Sequence, residues 1–392
     1  IATKNGVSVL PRGGGTGLSG QTINNAVVID FSKYMFNVQE INKEEQWVRT
    51  QPGVTIDDLN RQLRPSGLFF TSDPSTSSRA NIGGAMGNNS CGAHSIVYGK
   101  TVDHVQEMSV VLSDGTRTAF EQLSADMLGS KLKLSGLEGQ IYNQINEIAR
   151  NAAAEVDKRF PKILRRVGGY NLDLIQNNEA LNLVKLMVGS EGTLVAVTEA
   201  KLNIEPIPAV KGLAVLHFTD IVAAMEATVA TLELNPAAVE HMGDMIISQA
   251  RKSLGFARNL TFLEGDPTDI LVIEMTGESE AEVESKLDQL DERMKTGGRP
   301  YATTRVMSAA QQAQVWAMRQ AGLGLMMNIP GSAKPLPFVE DIAVPPTEIS
   351  RFLTLAQKTF QRHEVTATMS AHAASGQLHL RPLLPFPAPE TA

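Results

Sequence analysis

Two stretches rich in glycine and small polar residues constrain this chain more than any other feature. The first glycine-rich loop spans residues 11–21 (PRGGGTGLSGQ), and the second spans residues 73–92 (DPSTSSRANIGGAMGNNSCG). Glycine lets the backbone approach a ligand closely, so that consecutive N–H groups can point at phosphate oxygens. The two loops therefore predict a large anionic ligand held by main-chain dipoles from two sides. This indicates a dinucleotide and favours FAD.

The first loop lies between two segments, 7–10 and 26–31, whose apolar β-branched residues predict strands. A flexible linker is the alternative interpretation, but a linker would separate domains and not two strands. The loop also differs from a Rossmann turn, which precedes a helix. We expect its glycines to surround a pyrophosphate, with hydroxyl donors beside them: Gly13, Gly14, Gly15, Thr16, Gly17, Ser19 and Gly20.

Composition excludes several classes of protein. The chain has 392 residues, enough for two or three domains, and a net charge of -7 without a basic tract, which disfavours nucleic-acid binding. No apolar run is long enough to span a bilayer. A single cysteine, Cys91, cannot form an internal disulfide or ligate an iron–sulfur cluster by itself. We expect a cytoplasmic protein, with peripheral membrane association through an electron acceptor left open.

The pattern of elements changes near residues 206–208, where two prolines interrupt the chain. We expect a cofactor domain over residues 1–206, a second domain over 207–385 and a tail over 386–392. Alternating strand and helix patterns after residue 207 indicate a ferredoxin-like α+β domain. The chain opens without methionine and closes on a proline-rich segment, so we expect a fragment of a longer protein whose cofactor domain lacks its N-terminal part.

The two loops resemble a known family. The pattern DPSxSSxxxIGGxxxNNxxG, then Tyr98-Gly99, together with PRGGGTGL and GSEGTL at 189–194, is similar to the PCMH-type FAD-binding domain of the vanillyl-alcohol-oxidase superfamily. Within it, the chain resembles FAD-linked D-2-hydroxy-acid dehydrogenases acting on D-lactate, D-2-hydroxyglutarate or glycolate. Segments 319–324 and 340–346 are most like long members that carry a C-terminal ferredoxin domain. The resemblance implies an α+β fold, with the FAD-binding domain followed by a ferredoxin-like substrate (cap) domain.

The resemblance also implies which residues contact the cofactor. Around the pyrophosphate it places Arg12, Gly13, Gly14, Gly15, Thr16, Gly17 and Ser19. Along the body of FAD it places Pro74, Ser75, Ser78, Ile82, Gly83, Gly84, Asn88, Ser90, Gly92 and Tyr98. Over the adenine half it places Glu191, Gly192 and Val197. Tyr170 and Asn171 resemble a loop beside the flavin.

Two histidines, His372 and His379, suggest a metal site. Seven residues apart, they would face opposite sides of one strand, but a turn at Ser375-Gly376 would bring both imidazoles together. A pair of structural histidines is the alternative. The segment resembles the HxGDGNxH metal motif of the family, with Ala374, Ser375 and Gln377 replacing its Gly, Asp and Asn. The resemblance implies a divalent ion, Zn or Mn, whose supporting contacts differ here.

Arg319 lies on an apolar predicted helix and aligns with an arginine of the family. The resemblance implies that it binds the substrate carboxylate, a role that suits a planar guanidinium. A surface arginine is the alternative. Lys334 is a weaker helper. In the hydroxyglutarate relatives a lysine sits near the position of Glu340, and its absence here argues against a second acidic group on the substrate. The implied reaction is FAD-dependent oxidation of an (R)-2-hydroxy acid to a 2-oxo acid, with Arg319, His372 and His379 as the catalytic residues. The general base is expected beyond Ala392, and His241 or His363 would be substitutes within the chain.

Two other functions remain open from the sequence. One is a flavin oxidase of sugars or alcohols, which often attaches FAD covalently; His94 and Cys91 lie in the second loop. The other is a non-catalytic module that holds FAD for electron transfer. Expected partners are a small 2-hydroxy-acid substrate and an electron acceptor or iron–sulfur domain outside this chain.

Overall fold

The computed structural model describes residues 1–18, 20–177 and 180–385. The chain divides into two compact units. Unit 1 consists of Ile1–Gly92, Tyr98–Lys162 and Arg166–Ile207. Unit 2 consists of Ala93–Val97, Ile163–Arg165 and the chain from Pro208 onward. Two sequence predictions, Ser19 and the tail over 386–392, fall outside the described residues.

Unit 1 contains a five-stranded sheet with the order β3-β4-β11-β6-β7 and smaller sheets beside it. Its strands are β1 (Val9–Arg12), β2 (Val27–Asp30), β3 (Val38–Asn42), β4 (Trp47–Thr50), β5 (Leu68–Phe69), β6 (Val105–Val111), β7 (Arg117–Phe120), β8 (Gln122–Leu123), β9 (Gln176–Asn177), β10 (Ala180–Asn182), β11 (Ala196–Asn203) and β12 (Glu205–Pro206). The helices in this part of the chain are α1 (Ile56–Leu63), α2 (Ile82–Asn88), α3 (Ser95–Tyr98), α4 (Thr101–His104), α5 (Ala125–Lys131), α6 (Gly136–Arg159) and α7 (Leu183–Met187).

Local sequence patterns explain several of these elements. Thr55 begins α1 as its N-cap, with its side chain accepting a hydrogen bond from the Asp58 N–H at 3.2 Å, as the capping-box pattern predicts. Strands β6 and β7 form an antiparallel hairpin around Asp114-Gly115, where Gly115 has a φ of 92°. Strands β1 and β2 pair in parallel on either side of the first glycine-rich loop. The loop thus connects two strands, as predicted.

Unit 2 is built on an eight-stranded sheet with the order β16-β13-β15-β14-β19-β20-β17, in which β18 also pairs with β20. Its strands are β13 (Val210–Phe218), β14 (Ala238–Gly243), β15 (Asp269–Gly277), β16 (Ala302–Val306), β17 (Ala333–Pro335), β18 (Val339–Ala343), β19 (Ala367–His372) and β20 (Gln377–Pro385). Its helices are α8 (Ile221–Leu232), α9 (Asp244–Lys252), α10 (Glu280–Met294), α11 (Ala309–Met327) and α12 (Ile349–Arg362).

Helices of unit 2 pack on both faces of this sheet. Alternate residues of β14 and β15, such as Val239 and Ile273, join a core with α8, α10 and α12. The residues between them, such as Val272 and Met242, join a second core with α9 and α11. Because side chains alternate along a strand, Glu240 faces the α9–α11 side, next to Arg319 on α11. Among the described residues, no helix combines the length and apolar character needed to cross a membrane.

Candidate functional site

The glycine-rich loops of unit 1 come together because several glycines sit where a side chain would collide with a neighbouring loop. A Cβ on Gly14 would lie 2.0 Å from the Arg79 carbonyl oxygen, and a Cβ on Gly13 would lie 3.1 Å from the Asn81 side chain. These contacts join the first loop to the second. Gly192, with a φ of 74°, would place a Cβ 3.2 Å from Pro11, which joins the third loop (residues 189–194) to the first.

The backbone of the first loop has unused hydrogen-bond donors. Within the part of the chain that the structure describes, the N–H groups of residues 13–17 donate no hydrogen bond. In the second loop, two buried side-chain atoms lack a partner among the described residues, the acceptor Asn81 Oδ1 and the donor Asn89 Nδ2. The backbone of residues 13–17 is half-buried or exposed, and consecutive free N–H groups in a glycine-lined cradle fit an anionic ligand. The residues present therefore fit the pyrophosphate of a dinucleotide.

Gly84, in the second glycine-rich loop, is next to open space. It lies in α2 and is half-buried, yet a Cβ built on it would meet no atom within 4 Å. A Cβ on its neighbour Gly83 would instead lie 2.7 Å from the Pro52 Cβ, which is a collision. Gly83 is thus required for packing within unit 1. Gly84 is free of that constraint, and a side chain there would extend into open space.

Other predicted cofactor residues have different settings. Arg12 Nη2 pairs with Asp30 at 2.8 Å, while the Ile82 side chain is fully buried in the core and leaves only its backbone for a ligand. The Tyr98 ring packs edge-on against Phe69, with centroids 5.4 Å apart. The remaining predicted residues lie in or beside the three loops: Gly15, Thr16, Gly17, Pro74, Ser75, Ser78, Asn88, Ser90, Gly92, Glu191 and Val197. Of the flavin-side loop, the Tyr170 hydroxyl contacts Thr193 Oγ1 at 2.8 Å and Asn171 is buried.

A buried polar network, here called the substrate cluster, lies in unit 2 and consists of Arg319, Glu240 and His372. Arg319 Nε donates to Glu240 Oε2 at 2.7 Å, and His372 Nδ1 lies 2.8 Å from Glu240 Oε1. Glu240 has no exposed surface. One carboxylate on β14 therefore fixes both a helix-borne guanidinium and an imidazole at the end of β19.

The charges in this cluster follow from burial and neighbours. Burial lowers the pKa of His372 to about 3, which Arg319 also favours and Glu240 opposes, so the imidazole is neutral at pH 7. Burial alone would raise the pKa of Glu240, but His372 and Arg319 hold it at about 2, so the carboxylate is ionised. A neutral imidazole whose Nδ1–H donates to Glu240 keeps an acceptor lone pair on Nε2. That nitrogen can bind a cation or accept a proton.

The two predicted histidines approach each other as the turn hypothesis requires. β19 ends at His372, a short 3-10 turn covers Ala373–Ser375, and Gly376 follows with a φ of 75° before β20 begins. The ring centroids of His372 and His379 lie 5.2 Å apart. A Cβ on Gly376 would lie 1.8 Å from the Val344 carbonyl oxygen, which explains why glycine is required there.

Two residues of the site carry no sequence signal that would have singled them out. Glu240 lies within a buried strand, and Arg165 lies close enough to His372 for its charge to lower the pKa of that ring. Lys334, predicted as a helper, instead donates to the Met327 and Ile329 carbonyl oxygens.

The two suggested substitutes for the general base do not belong to the cluster. His241 contacts Asp269 at 2.8 Å from the opposite side of β14 to Glu240, and His363 ends α12 as an exposed residue. His94, the candidate for covalent flavin attachment, is also engaged, since its Nε2 lies 3.0 Å from Glu274 Oε1 within unit 2.

Comparison with known proteins assigns a family to both units. Residues 1–120 match the family described as FAD binding domain, and residues 207–392 match the family described as FAD linked oxidases, C-terminal domain. The chain belongs to the FAD-linked oxidases. Together the two matches cover more than three quarters of this FAD-linked oxidase chain and follow the order predicted from the motifs.

Relatives of this FAD-linked oxidase carry related names. It is similar to D-2-hydroxyglutarate dehydrogenase of Pseudomonas putida, at 33% identity over 98% of this chain and 39% of that protein. It is also similar to D-lactate dehydrogenase of Anaerostipes hadrus, at 26% identity over 97% of this chain and 69% of that protein. The chain thus spans about two fifths of the length of the D-2-hydroxyglutarate dehydrogenases it matches.

Solved structures support the fold. An alkyldihydroxyacetonephosphate synthase matches with a TM-score of 0.63 at 16% identity, covering 97% of this chain and 67% of that one. The 4-ethylphenol oxidase from Gulosibacter chungangensis matches with a TM-score of 0.63 at 13% identity, covering 97% of this chain and 71% of that one. The predicted α+β fold, with a vanillyl-alcohol-oxidase-type FAD-binding domain, is confirmed.

Proposed function

We propose that this chain supplies the flavin-binding and substrate-binding parts of an FAD-dependent dehydrogenase, which oxidises an (R)-2-hydroxy acid of the D-lactate type to a 2-oxo acid. The observation that carries the proposal is the buried network of Arg319, Glu240 and His372. It lies in a unit whose sequence matches the C-terminal domain of FAD linked oxidases. The names of the relatives support the substrate class.

The cradle of unit 1 would hold FAD. Unpaired N–H groups of residues 13–17 would meet the pyrophosphate charges without a lysine or arginine cluster. Bound FAD supplies an acceptor for the hydride that leaves the substrate carbon. The contribution of the chain is to hold the dinucleotide by its backbone, with Gly84 leaving room on α2.

Arg319 would bind the substrate carboxylate. Its Nε is taken by Glu240, and its Nη2 lies 3.5 Å from His372 Nδ1. Each terminal nitrogen carries two N–H groups, so N–H groups remain to form paired hydrogen bonds with a planar carboxylate. Glu240 also limits the rotation of the guanidinium, because it is fully buried and bonded to His372 as well. Positioning of this kind lowers the entropy lost when substrate binds.

His372 would act at the substrate hydroxyl. Its neutral ring offers Nε2 as an acceptor in the pH range where most proteins work. His372 and His379 could together hold a divalent ion such as Zn²⁺ or Mn²⁺, and such an ion would lower the pKa of a hydroxyl group. In either case His372 receives its orientation from Glu240.

The side chain of the acid is part of the proposal. Glu340 pairs with Arg381 and Asp341 lies beside it, so this part of the unit presents carboxylates. A second carboxylate on the substrate would meet like charge there, which favours a short monocarboxylate such as D-lactate. The relatives named D-2-hydroxyglutarate dehydrogenase make a dicarboxylate the natural competitor in any test.

The test is bleaching of the bound flavin without oxygen. The chain, loaded with FAD, is mixed with glycolate, D-lactate, L-lactate or D-2-hydroxyglutarate, with and without Zn²⁺ or Mn²⁺. We expect D-lactate to bleach the flavin and Arg319→Gln to abolish this while FAD stays bound; Arg351→Gln, on an exposed part of α12, is the control. Bleaching by dithionite but by none of the acids would instead support the electron-transfer module. Flavin retained after acid precipitation would support the covalent oxidase.

The electron acceptor and the compartment complete the proposal. Reduced flavin must pass its electrons onward, and we place the acceptor, an iron–sulfur domain or a separate protein, outside the described chain. A single, buried cysteine suits a reducing compartment such as the cytoplasm.

A further inference from the structure

Helix α11 crosses the strands of unit 2 in the order in which they lie in the sheet. Near its start, the Gln312 side chain donates to a carbonyl oxygen of β13 at 2.8 Å. Further on, Arg319 meets Glu240 of β14, and Met326 Sδ accepts from a hydroxyl group of β19 at 3.2 Å. Because β15 lies between β13 and β14, the part of α11 around Trp316 passes over β15.

A second buried carboxylate, Glu274, lies on β15. Lys211 Nζ donates to Glu274 Oε1 at 3.0 Å, and His94 Nε2 lies 3.0 Å from the same oxygen. The ring of His94 in turn lies beside the indole of Trp316, with centroids 5.6 Å apart and ring planes inclined at 45°. All four residues belong to unit 2. Glu274 therefore holds His94, and His94 packs against Trp316.

Two independent spacings place the Trp316 indole next to the substrate cluster. Across the sheet, Glu274 pairs with Ala238, which precedes Glu240 by two residues, so the two carboxylates are diagonal neighbours on one face. Along α11, Trp316 precedes Arg319 by three residues, a spacing that puts the Cβ atoms of two side chains about 5–6 Å apart. The indole thus lies about one helical turn from the guanidinium.

Trp316 is only half-buried, as Arg319 is, whereas Val315 and Met318 are fully buried in the core. Leu323, four residues after Arg319, is the half-buried apolar residue on the other side of the guanidinium. In a 2-hydroxy acid, the side chain and the carboxylate are attached to the same carbon. A carboxylate held by Arg319 therefore brings the side chain within reach of these apolar neighbours. Trp316 is the neighbour whose position is fixed by a second ring.

We propose that Trp316 is a specificity-determining residue that contacts the side chain of the 2-hydroxy acid and limits it to a small apolar group, with His94 positioning the indole. The inference rests on the proposed function and deepens it, because Arg319 and His372 recognise groups that every 2-hydroxy acid carries. A ring packed against a second ring yields little to extra methylene groups. An indole also offers a second carboxylate only one N–H donor. Short monocarboxylates should therefore bind best.

The first test compares acids that differ only in their side chain. The rate of flavin bleaching without oxygen is measured against the concentration of glycolate, D-lactate, D-2-hydroxybutyrate and D-2-hydroxyvalerate, which gives a limiting rate and an apparent Kd for each acid. For the original chain we expect the apparent Kd to rise at least about tenfold from D-lactate to D-2-hydroxyvalerate. Trp316→Ala should reduce that ratio to within about threefold. The limiting rates, and both constants for glycolate, which has no side chain, should change by less than about threefold.

Further variants separate specificity from stability. His94→Gln removes the ring beside Trp316 and should lower the ratio of apparent Kd values by a smaller factor than Trp316→Ala. Trp316→Phe keeps an aromatic ring and should give an intermediate ratio. Tyr301→Ala is the matched control, because Tyr301 also packs against a histidine of unit 2, at 5.9 Å and 47°, and should leave the ratio unchanged. Circular dichroism checks that each variant is folded.

A second readout needs no turnover. The 2-oxo acids pyruvate and 2-oxovalerate, the expected products, do not reduce flavin, so their binding to the FAD-loaded chain is followed by fluorescence. Trp47→Phe leaves Trp316 as the only tryptophan. We expect a saturable change in emission with pyruvate, at an apparent Kd at least about tenfold lower than with 2-oxovalerate, and no change in Arg319→Gln.

The outcomes distinguish this inference from the proposed function. An unchanged ratio in Trp316→Ala, or a lowered ratio in Leu323→Ala alone, would overturn the inference while the proposed function stands. A chain that D-lactate bleaches but whose Trp316 emission ignores pyruvate would overturn it as well. A saturable, size-dependent emission change without bleaching by any acid would support the inference while the proposed function fails. Neither bleaching nor an emission change would overturn both.

Discussion

Glu240→Gln perturbs the substrate cluster without changing its size. The native carboxylate is fully buried and accepts from both Arg319 and His372, at 2.7 and 2.8 Å. Glutamine has one acceptor oxygen, so it can serve only one of those two donors. His372 can adapt by moving its proton to Nε2, but Arg319, 12% exposed, loses its ionic partner.

The cost follows from these contacts. Removing one partner of a fully buried ion pair costs about 3–5 kcal/mol, and an amide acceptor recovers part of it, about 1 kcal/mol. Some exposure of Arg319 reduces the loss further. We expect Glu240→Gln to lower the free energy of unfolding of unit 2 by about 2–3 kcal/mol. Because the His372 proton moves to Nε2, substrate-dependent bleaching should also fall by at least about a hundredfold.

Urea unfolding followed by tryptophan fluorescence measures the first effect. Trp316 lies on α11 in unit 2, and Trp47→Phe removes the other tryptophan, which lies in unit 1. A double-mutant cycle with Arg319→Met should give a coupling energy of about 1.5–3 kcal/mol with Glu240→Gln. The exposed Glu284→Gln should change stability by less than about 0.5 kcal/mol. A coupling energy below about 0.5 kcal/mol would refute the idea that Glu240 holds Arg319 in place.

Three further predictions concern the same unit. Gly376→Ala should destabilise unit 2 by at least about 2 kcal/mol, because its Cβ would meet the Val344 carbonyl oxygen. Gly331 also has a positive φ, of 100°, but open space around it, so Gly331→Ala should cost only about 1 kcal/mol. Urea unfolding compares the two variants. The pKa of Glu274 is lowered to about 2, because His94 and Lys211 outweigh the effect of burial. The ionised carboxylate therefore stabilises the fold by about 3 kcal/mol above pH 4.5, and this is lost as the pH falls towards 2. The difference in unfolding free energy between the chain and Glu274→Gln should shrink over that pH range. Because burial lowers the pKa of His372 to about 3, its ring proton resonances should not titrate between pH 8 and 5, and a midpoint near 6.5 would contradict the buried setting.

Local patterns allowed much of the fold to be predicted. Glycine clusters predicted the loops of unit 1, an Asp-Gly pair predicted the β6–β7 hairpin, and Ser375-Gly376 predicted the turn that joins β19 and β20. Each of these features depends on residues close together in the chain. The approach of His372 to His379 was therefore within reach of sequence reasoning.

Contacts between distant strands were out of reach. Glu240 meets His372 because β14 pairs with β19, which lies more than a hundred residues later in the chain. The sequence offered the next residue, His241, only as a substitute base, and alternation along β14 turns it to the other face. The approach of Asp341 Oδ1 to His379 Nδ1, at 3.4 Å, likewise depends on the register of β18 with β20. Neither register has a local sequence pattern.

Titration of the chain with FAD measures whether the glycine-lined backbone of unit 1 holds the dinucleotide. Gly84→Leu adds a side chain at an open position of α2, within the second glycine-rich loop, and Gly129→Leu adds the same side chain at an open position of α5. Both changes should favour their helices, by up to about 1 kcal/mol. We predict one FAD per chain, unchanged binding in Gly129→Leu and at least about tenfold weaker binding in Gly84→Leu. Equal FAD affinity in all three proteins, or no binding by any of them, would show that the glycine-lined backbone does not hold FAD.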